Sequence, residues 1–233
     1  MYSKPPTLLS AFFMLFLVLL FQKAIAQEIV EDPDPLRFEE EIEAFREWDA
    51  KNSSPDDAIL FVGSSSIRFW ETAKAFPQFA VINRGFGGSH FSDLIHYYDS
   101  LILLYDPSVV VLYEGDNDIA SGKSAERVRS DYMEVTERLS EDFPDVKLVF
   151  VSIKPSSSRW EVWPEMEEAN RLIREEIDQA PNHYYADLAT PLLGDDGLPD
   201  DSLFLEDLLH LNEQGYEKWT DTIRPLLEEL VKE

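Results

Sequence analysis

The chain contains no cysteine. Disulfide staples, thiolate nucleophiles and cysteine-based metal sites are excluded, while the compartment stays open, because a domain of this size folds without bridges. Basic residues are scarce, 20 against 46 acidic ones, which gives a formal charge of −26. Such a chain repels nucleic acid and anionic membrane surfaces. Its longest apolar run, Leu8 to Phe21, has 14 residues and is broken by Ser10, whereas a membrane-spanning helix needs about 20. Internal repeats and low-complexity tracts are missing too. What remains is 233 residues, 44% apolar and 12% aromatic, enough for one globular domain with a real core.

The short apolar run has a different use. Lys4 gives it a positive start, and Ala24-Ile25-Ala26 supplies a small-x-small cleavage site before Gln27. Residues 1–26 therefore read as a signal peptide, with an uncleaved anchor as the weaker alternative. No cysteine follows, so a lipoprotein anchor is excluded. Export is expected, to the periplasm or outside the cell. Loss of Lys4 and Lys23 takes the mature charge to −26 − 2 = −28. Residues 27–35 are acidic, carry Pro33 and Pro35, and read as a linker to a domain over 36–233. Asn52-Ser53-Ser54 is a glycosylation sequon, meaningful only in a eukaryotic secretory pathway.

Strand and helix patterns alternate along that domain. Phe38, Ile42, Phe45 and Trp48 mark a helix over 36–51. Strands are expected at 58–62, 81–83, 109–113, 147–153 and 184–188, and further helices at 66–76, 91–105, 124–139, 165–179 and 212–231. The stretch Val109-Val110-Val111-Leu112-Tyr113 is continuous and β-branched, as a strand buried on both faces should be. Such alternation predicts an α/β fold whose parallel sheet is covered on both faces. Sites in these folds gather beyond the carboxyl ends of the strands.

Four segments occupy those ends or lie near the end of the chain: Gly63-Ser64-Ser65, Gly85-Phe86-Gly87-Gly88, Glu114-Gly115-Asp116-Asn117-Asp118, and Asp207-Leu208-Leu209-His210. They supply a hydroxyl, a glycine backbone, a side-chain amide and a carboxylate–imidazole pair, the parts that acyl transfer requires. A serine hydroxyl is a weak nucleophile until a base takes its proton, and that base is usually a histidine oriented by a carboxylate. The oxygen that turns negative needs fixed donors, each worth on the order of 3–4 kcal/mol of barrier. Gly88 offers an unobstructed N–H and Asn117 an amide. Of the four histidines, His96 and His210 have an aspartate three residues earlier. Asp93–His96 falls inside an expected helix, where such neighbours meet routinely, and reads as structural. Asp207–His210 lies where a loop enters a helix. His183 reads as surface, and His90 as a residue that could line the pocket. Taken alone, Gly-Ser-Ser-Ser is also an ordinary turn.

Those four blocks, in that order, resemble the SGNH hydrolase superfamily, the GDSL-type esterases and lipases, over about Phe61 to Asn212. The resemblance implies a flavodoxin-like three-layer α/β/α sandwich with a five-stranded, mostly parallel sheet. It makes Ser65 the nucleophile, His210 the base and Asp207 its orienting partner. The Ser65 N–H, the Gly88 N–H and the Asn117 side chain would form the oxyanion hole. Two positions depart from the family: Ser64 stands where Asp is usual, and Ser89 where Asp is common. The first leaves Ser64 and Ser66 as rival nucleophiles. No Gly-x-Ser-x-Gly elbow occurs, which argues against an α/β-hydrolase.

Arg68 reads either as a surface residue or as a substrate clamp. Trp160 and Trp163 follow the fourth strand and are candidates for substrate binding, or else pack the start of their helix. Asp118 reads as a loop cap. The glycines of 85–88 lack nucleotide-loop spacing, no His/Asp/Glu cluster has metal spacing, and nothing calls for a cofactor. The expected activity is a serine esterase acting on a small-molecule or glycan ester; the range of the resembled family, the exported location and the aromatic residues near the site favour short, acetyl-type acyl groups, and the lack of an amphipathic lid disfavours long-chain lipid. A lysophospholipase or thioesterase is the alternative within enzymes. A silent carbohydrate-binding module is the alternative outside them.

Overall fold

The strands are short and nearly identical in length: β1 Ile59–Gly63, β2 Val81–Gly85, β3 Val109–Tyr113, β4 Lys147–Val151 and β5 His183–Ala186. They form one wholly parallel sheet in the order β2-β1-β3-β4-β5. The computed structural model describes residues 30–232. The expected signal peptide and the first residues of the acidic segment lie outside the described residues. Residues from Asp32 onward form one unit. Asp32 itself is tied to it, with Lys123 Nζ at 2.6 Å and Arg127 Nη2 at 2.7 Å. Among the described residues no helix is long and apolar enough to cross a membrane.

Alternation along each strand divides the core in two, because successive side chains point to opposite faces. Leu60, Val62, Val110, Leu112, Leu148 and Phe150 face one layer. That layer contains α1 Glu39–Asp49, α4 Phe91–His96, α6 Ala125–Asp142 and α7 Trp163–Ile177. Ile59, Phe61, Val109, Val111, Val149 and Val151 face the other, where α8 Glu213–Leu230 presents Trp219, Ile223 and Leu227. Full burial of each large apolar side chain contributes about 1.5–3 kcal/mol. The sheet reverses direction of winding at β1, which has β2 on one side and β3 on the other. A crevice at the carboxyl ends of these three strands follows from that topology.

Several boundaries differ from the sequence expectation, each because a side chain takes over backbone groups or packing demands a break. The single helix expected at 66–76 is two short turns, α2 Ser65–Arg68 and α3 Thr72–Ala75. Between them Asn83 Nδ2 donates to the carbonyls of Ile67 and Trp70, at 2.8 and 3.1 Å, and Trp70 drops into the core. The helix expected at 91–105 stops after α4 and resumes as a π-helical turn, Asp99–Leu103. That wider turn lets Tyr98, Leu101, Ile102 and Tyr105 all reach the interior. β4 ends at Val151 because the Asn170 amide engages both backbone groups of Ile153. β5 ends at Ala186 because Ser152 Oγ accepts from the N–H groups of Leu188 and Ala189. A helix that the sequence pattern does not show, α5 Asp116–Ala120, follows β3.

Candidate active site

Ser65 opens α2, directly after β1. Gly63 makes that exit possible. Its φ is +135°, and a Cβ there would overlap the carbonyl of Tyr113 on the neighbouring strand. The chain can turn sharply beside β3 only with glycine. The turn is then fixed by Ser64 N–H donating to Tyr113 O at 3.1 Å and by Phe86 N–H donating to Gly63 O at 2.9 Å. Ser64 and Ser66 are buried. Ser65 is the serine of the three that reaches a histidine: its Oγ lies 3.0 Å from His210 Nε2.

His210 arrives from a loop 145 residues further along. Asp207 shapes that loop and holds the ring. Its Oδ1 accepts from the backbone N–H groups of Leu209 and His210, both at 3.0 Å, and its Oδ2 lies 2.6 Å from His210 Nδ1. The carboxylate can only accept, so Nδ1 carries the proton and the lone pair of Nε2 faces Ser65 Oγ. Hydrogen bonding to the imidazole holds the Asp207 carboxyl at about 2, and the two backbone donors act in the same direction. Leu208 bridges the two residues at φ +53°. Its carbonyl accepts from Ser158 N–H at 3.1 Å, and Leu205 N–H donates to His210 O at 2.8 Å. Phe69 sets its ring edge-on to the imidazole, with centroids 5.2 Å apart.

The remaining predicted donors lie in the segments that follow β2 and β3. Gly88, at φ +85°, sits in the loop after β2 beside Gly87, where a Cβ would stand 3.8 Å from the Ser65 Cβ. Asn117, in α5, donates from Nδ2 to the Ser89 carbonyl at 2.9 Å, which ties the β3 exit to the glycine loop. Beneath them lies Glu114, fully buried and facing no cation at hydrogen-bond distance; its Oε1 is 2.5 Å from Ser89 Oγ. Burial pushes its carboxyl well above the usual range, and the nearby Asp118 pushes the same way. Ser89 Oγ is also 3.0 Å from Phe86 O. With Glu114 protonated, its Oε1 donates to Ser89 Oγ and Ser89 Oγ donates to Phe86 O, which leaves Glu114 Oε2 without a hydrogen-bond partner among the described residues. Asp116 contrasts with it. Burial raises its carboxyl, but Lys154 and Arg159 outweigh burial and hold it at about 2.

The other candidates lie at the edge. Arg68 pairs with Glu41 at 3.0 Å while its guanidinium passes beside Gly87. Trp160 and Trp163 stack on each other, 6.0 Å apart and 9° from parallel, and Trp163 also packs against the core. Asp118 accepts from Phe91 N–H and Lys123 Nζ in the interior. His96 does not meet Asp93, which instead accepts from His90 N–H and Arg37. His90 is kept neutral, with burial and Lys123 lowering it to about 4. The sequence reading missed Phe69, Leu208 and the link from Arg159 to Asn117. Only the aromatic and basic character of 156–163 pointed that way.

Residues 66–218 match the family model described as GDSL-like Lipase/Acylhydrolase family. The chain belongs to this family. It is therefore a hydrolase of carboxylic esters. The match begins one residue past Ser65. Among solved structures, the chain is similar to a GDSL-like lipase from Bacteroides thetaiotaomicron, at 17% identity and TM-score 0.68, covering 81% of this chain and 97% of that one. It is similar to a carbohydrate esterase family 3 protein from Talaromyces cellulolyticus, at 19% identity and TM-score 0.60, covering 75% and 97%. It is also similar to a catalytic mutant of an acetylxylan esterase from Geobacillus stearothermophilus, at 12% identity and TM-score 0.60, covering 75% and 94%. At these identities the likeness is one of fold, and the five-stranded α/β/α layering is shared with other GDSL-type hydrolases. No curated protein matches the chain.

Proposed function

We propose that this esterase works by a Ser65–His210–Asp207 acyl-enzyme mechanism on short-chain, acetyl-type esters, with O-acetylated carbohydrate as the substrate class. The observation that carries the reading is the unbroken line of contacts from Asp207 Oδ2 through His210 to Ser65 Oγ, 2.6 Å and 3.0 Å. As Ser65 Oγ bonds to the ester carbonyl carbon, its proton passes to His210 Nε2. The carbonyl oxygen takes the negative charge opposite the N–H groups of Ser65 and Gly88 and the Asn117 amide. Collapse breaks the carbon–alkoxy bond, and His210 gives the proton to the departing alcohol. Water, deprotonated by His210, then attacks the acyl-enzyme, releasing the acid and restoring Ser65.

Three things support the carbohydrate ester. The leader at 1–26 would export the enzyme. Trp160, next to Arg159, offers an aromatic surface near the site. Two similar structures are described as a carbohydrate esterase and an acetylxylan esterase. A second reading, a lysophospholipase or thioesterase, draws on the exposed apolar side chains of Phe69, Leu205 and Leu208 about the His210 loop. Turnover of p-nitrophenyl acetate by the mature protein, lost in Ser65→Ala, is the expected result. Faster hydrolysis of octanoyl than acetyl esters would favour the second reading. Glycan binding with no turnover of any acyl ester would make the chain a binding module instead.

A further inference from the structure

Arg159 lies outside every block that carries the family resemblance. It sits in a 3-10 turn, Ser157–Val162, between β4 and α7, where its backbone leaves helical geometry at φ −124°, ψ 21°. Its guanidinium forks across two neighbouring side chains. Nη1 donates to Asp116 Oδ1, and Nη2 donates to Asn117 Oδ1 at 2.9 Å. The second oxygen of Asp116 accepts from Lys154 Nζ and the Tyr113 hydroxyl, both at 3.0 Å. The fork is thus anchored on a buried, doubly held carboxylate.

The consequence falls on the Asn117 amide. Its oxygen accepts from the guanidinium while its nitrogen donates to the Ser89 carbonyl at 2.9 Å. Rotation of the amide by half a turn would set N–H against N–H at one end and oxygen against oxygen at the other. Only one orientation satisfies both neighbours. In that orientation one Nδ2 hydrogen is held by Ser89, and the other has no acceptor among the described residues.

We propose that Arg159 is a positioning residue that locks the Asn117 amide with its uncommitted N–H directed at the developing oxyanion. The inference rests on the proposed function, in which Asn117 is an oxyanion donor. A donor in such a hole is effective because it is already aimed before charge develops. A lysine at 159 would keep a cation beside Asp116, but its single ammonium has no planar fork to span both residues.

The test is a double-mutant cycle in kcat and KM on p-nitrophenyl acetate, using Arg159→Lys, Asn117→Ala and the pair. Asn117→Ala is expected to lower kcat by about 10²–10³-fold. Arg159→Lys is expected to lower kcat by about tenfold or more with KM within about twofold, and to change kcat by less than about twofold once Asn117 is already alanine. Thermal unfolding of each variant checks the fold. Selective ¹⁵N labelling of asparagine gives a second readout, since the Asn117 side-chain resonances should shift and broaden in Arg159→Lys even where activity is low. Equal losses in both backgrounds, or unchanged Asn117 resonances, would overturn the proposal. A raised KM at full kcat would make Arg159 a substrate clamp instead. A silent Asn117→Ala beside a dead Ser65→Ala would remove the donor assignment alone. Absence of Ser65-dependent turnover in the unaltered enzyme would remove the reading on which both stand.

Discussion

Asp207 divides its two oxygens between the backbone of its own loop and the imidazole of His210, so its loss would have two effects. Asp207→Asn keeps the shape but can present an N–H to Nδ1 and invert the ring tautomer. A fall in kcat of about 10²–10⁴-fold is expected, with KM little changed, in steady-state assays. Glu114 calls for the opposite treatment. Burial raises its folded-state titration above the ordinary 4.5. Its contribution to folding is therefore fully present below that value and is lost as pH rises toward the folded value. Glu114→Gln keeps a donor toward Ser89 without a proton to lose. Its thermal midpoint should match that of the unaltered protein near pH 4 and exceed it at pH 8, by about 2–4 °C for each kcal/mol recovered. A scan of unfolding temperature against pH checks this.

The element that sets the geometry is the loop between the two strapping contacts, Leu205 N–H to His210 O and Ser158 N–H to Leu208 O. Leu208 holds φ +53° although it is not glycine. A β-branched residue there adds about 1–2 kcal/mol of backbone strain, which glycine would relieve. Leu208→Val should therefore lose about tenfold in kcat, while Leu208→Gly retains most of it. Leu208 is exposed, so little packing is lost in either variant and the backbone preference is the main difference between them. This loop also shows where sequence reading stops. The pairing of Asp207 with His210 was legible because chain order and spacing carry it, and the central strands β1 and β3 were legible because they are continuous apolar runs. The broken helix at Trp70 was not, since it depends on Asn83, a residue from another strand. Nor was the Arg159 fork, whose partners lie 43 and 42 positions away. Periodicity reports what a segment buries. It says nothing of which distant side chain will take its carbonyls.

On the scale of the whole molecule, charge and order of assembly matter most. A net charge of −26 repels itself within a compact body. Salt screens exposed charges beyond about 10 Å at 0.1 M, so the unfolding temperature should rise between about 10 and 300 mM sodium chloride. A flat or falling curve would mean that attractive pairs such as Lys123 with Asp32 and Asp118 outweigh the repulsion. The sheet, meanwhile, is complete at Ala186, whereas the imidazole waits until His210. On the proposed mechanism, a growing polypeptide thus finishes its scaffold before it owns a base. Under that reading the nascent chain is chemically mute while it leaves the ribosome, and esters in its surroundings pass it untouched until the last loop emerges.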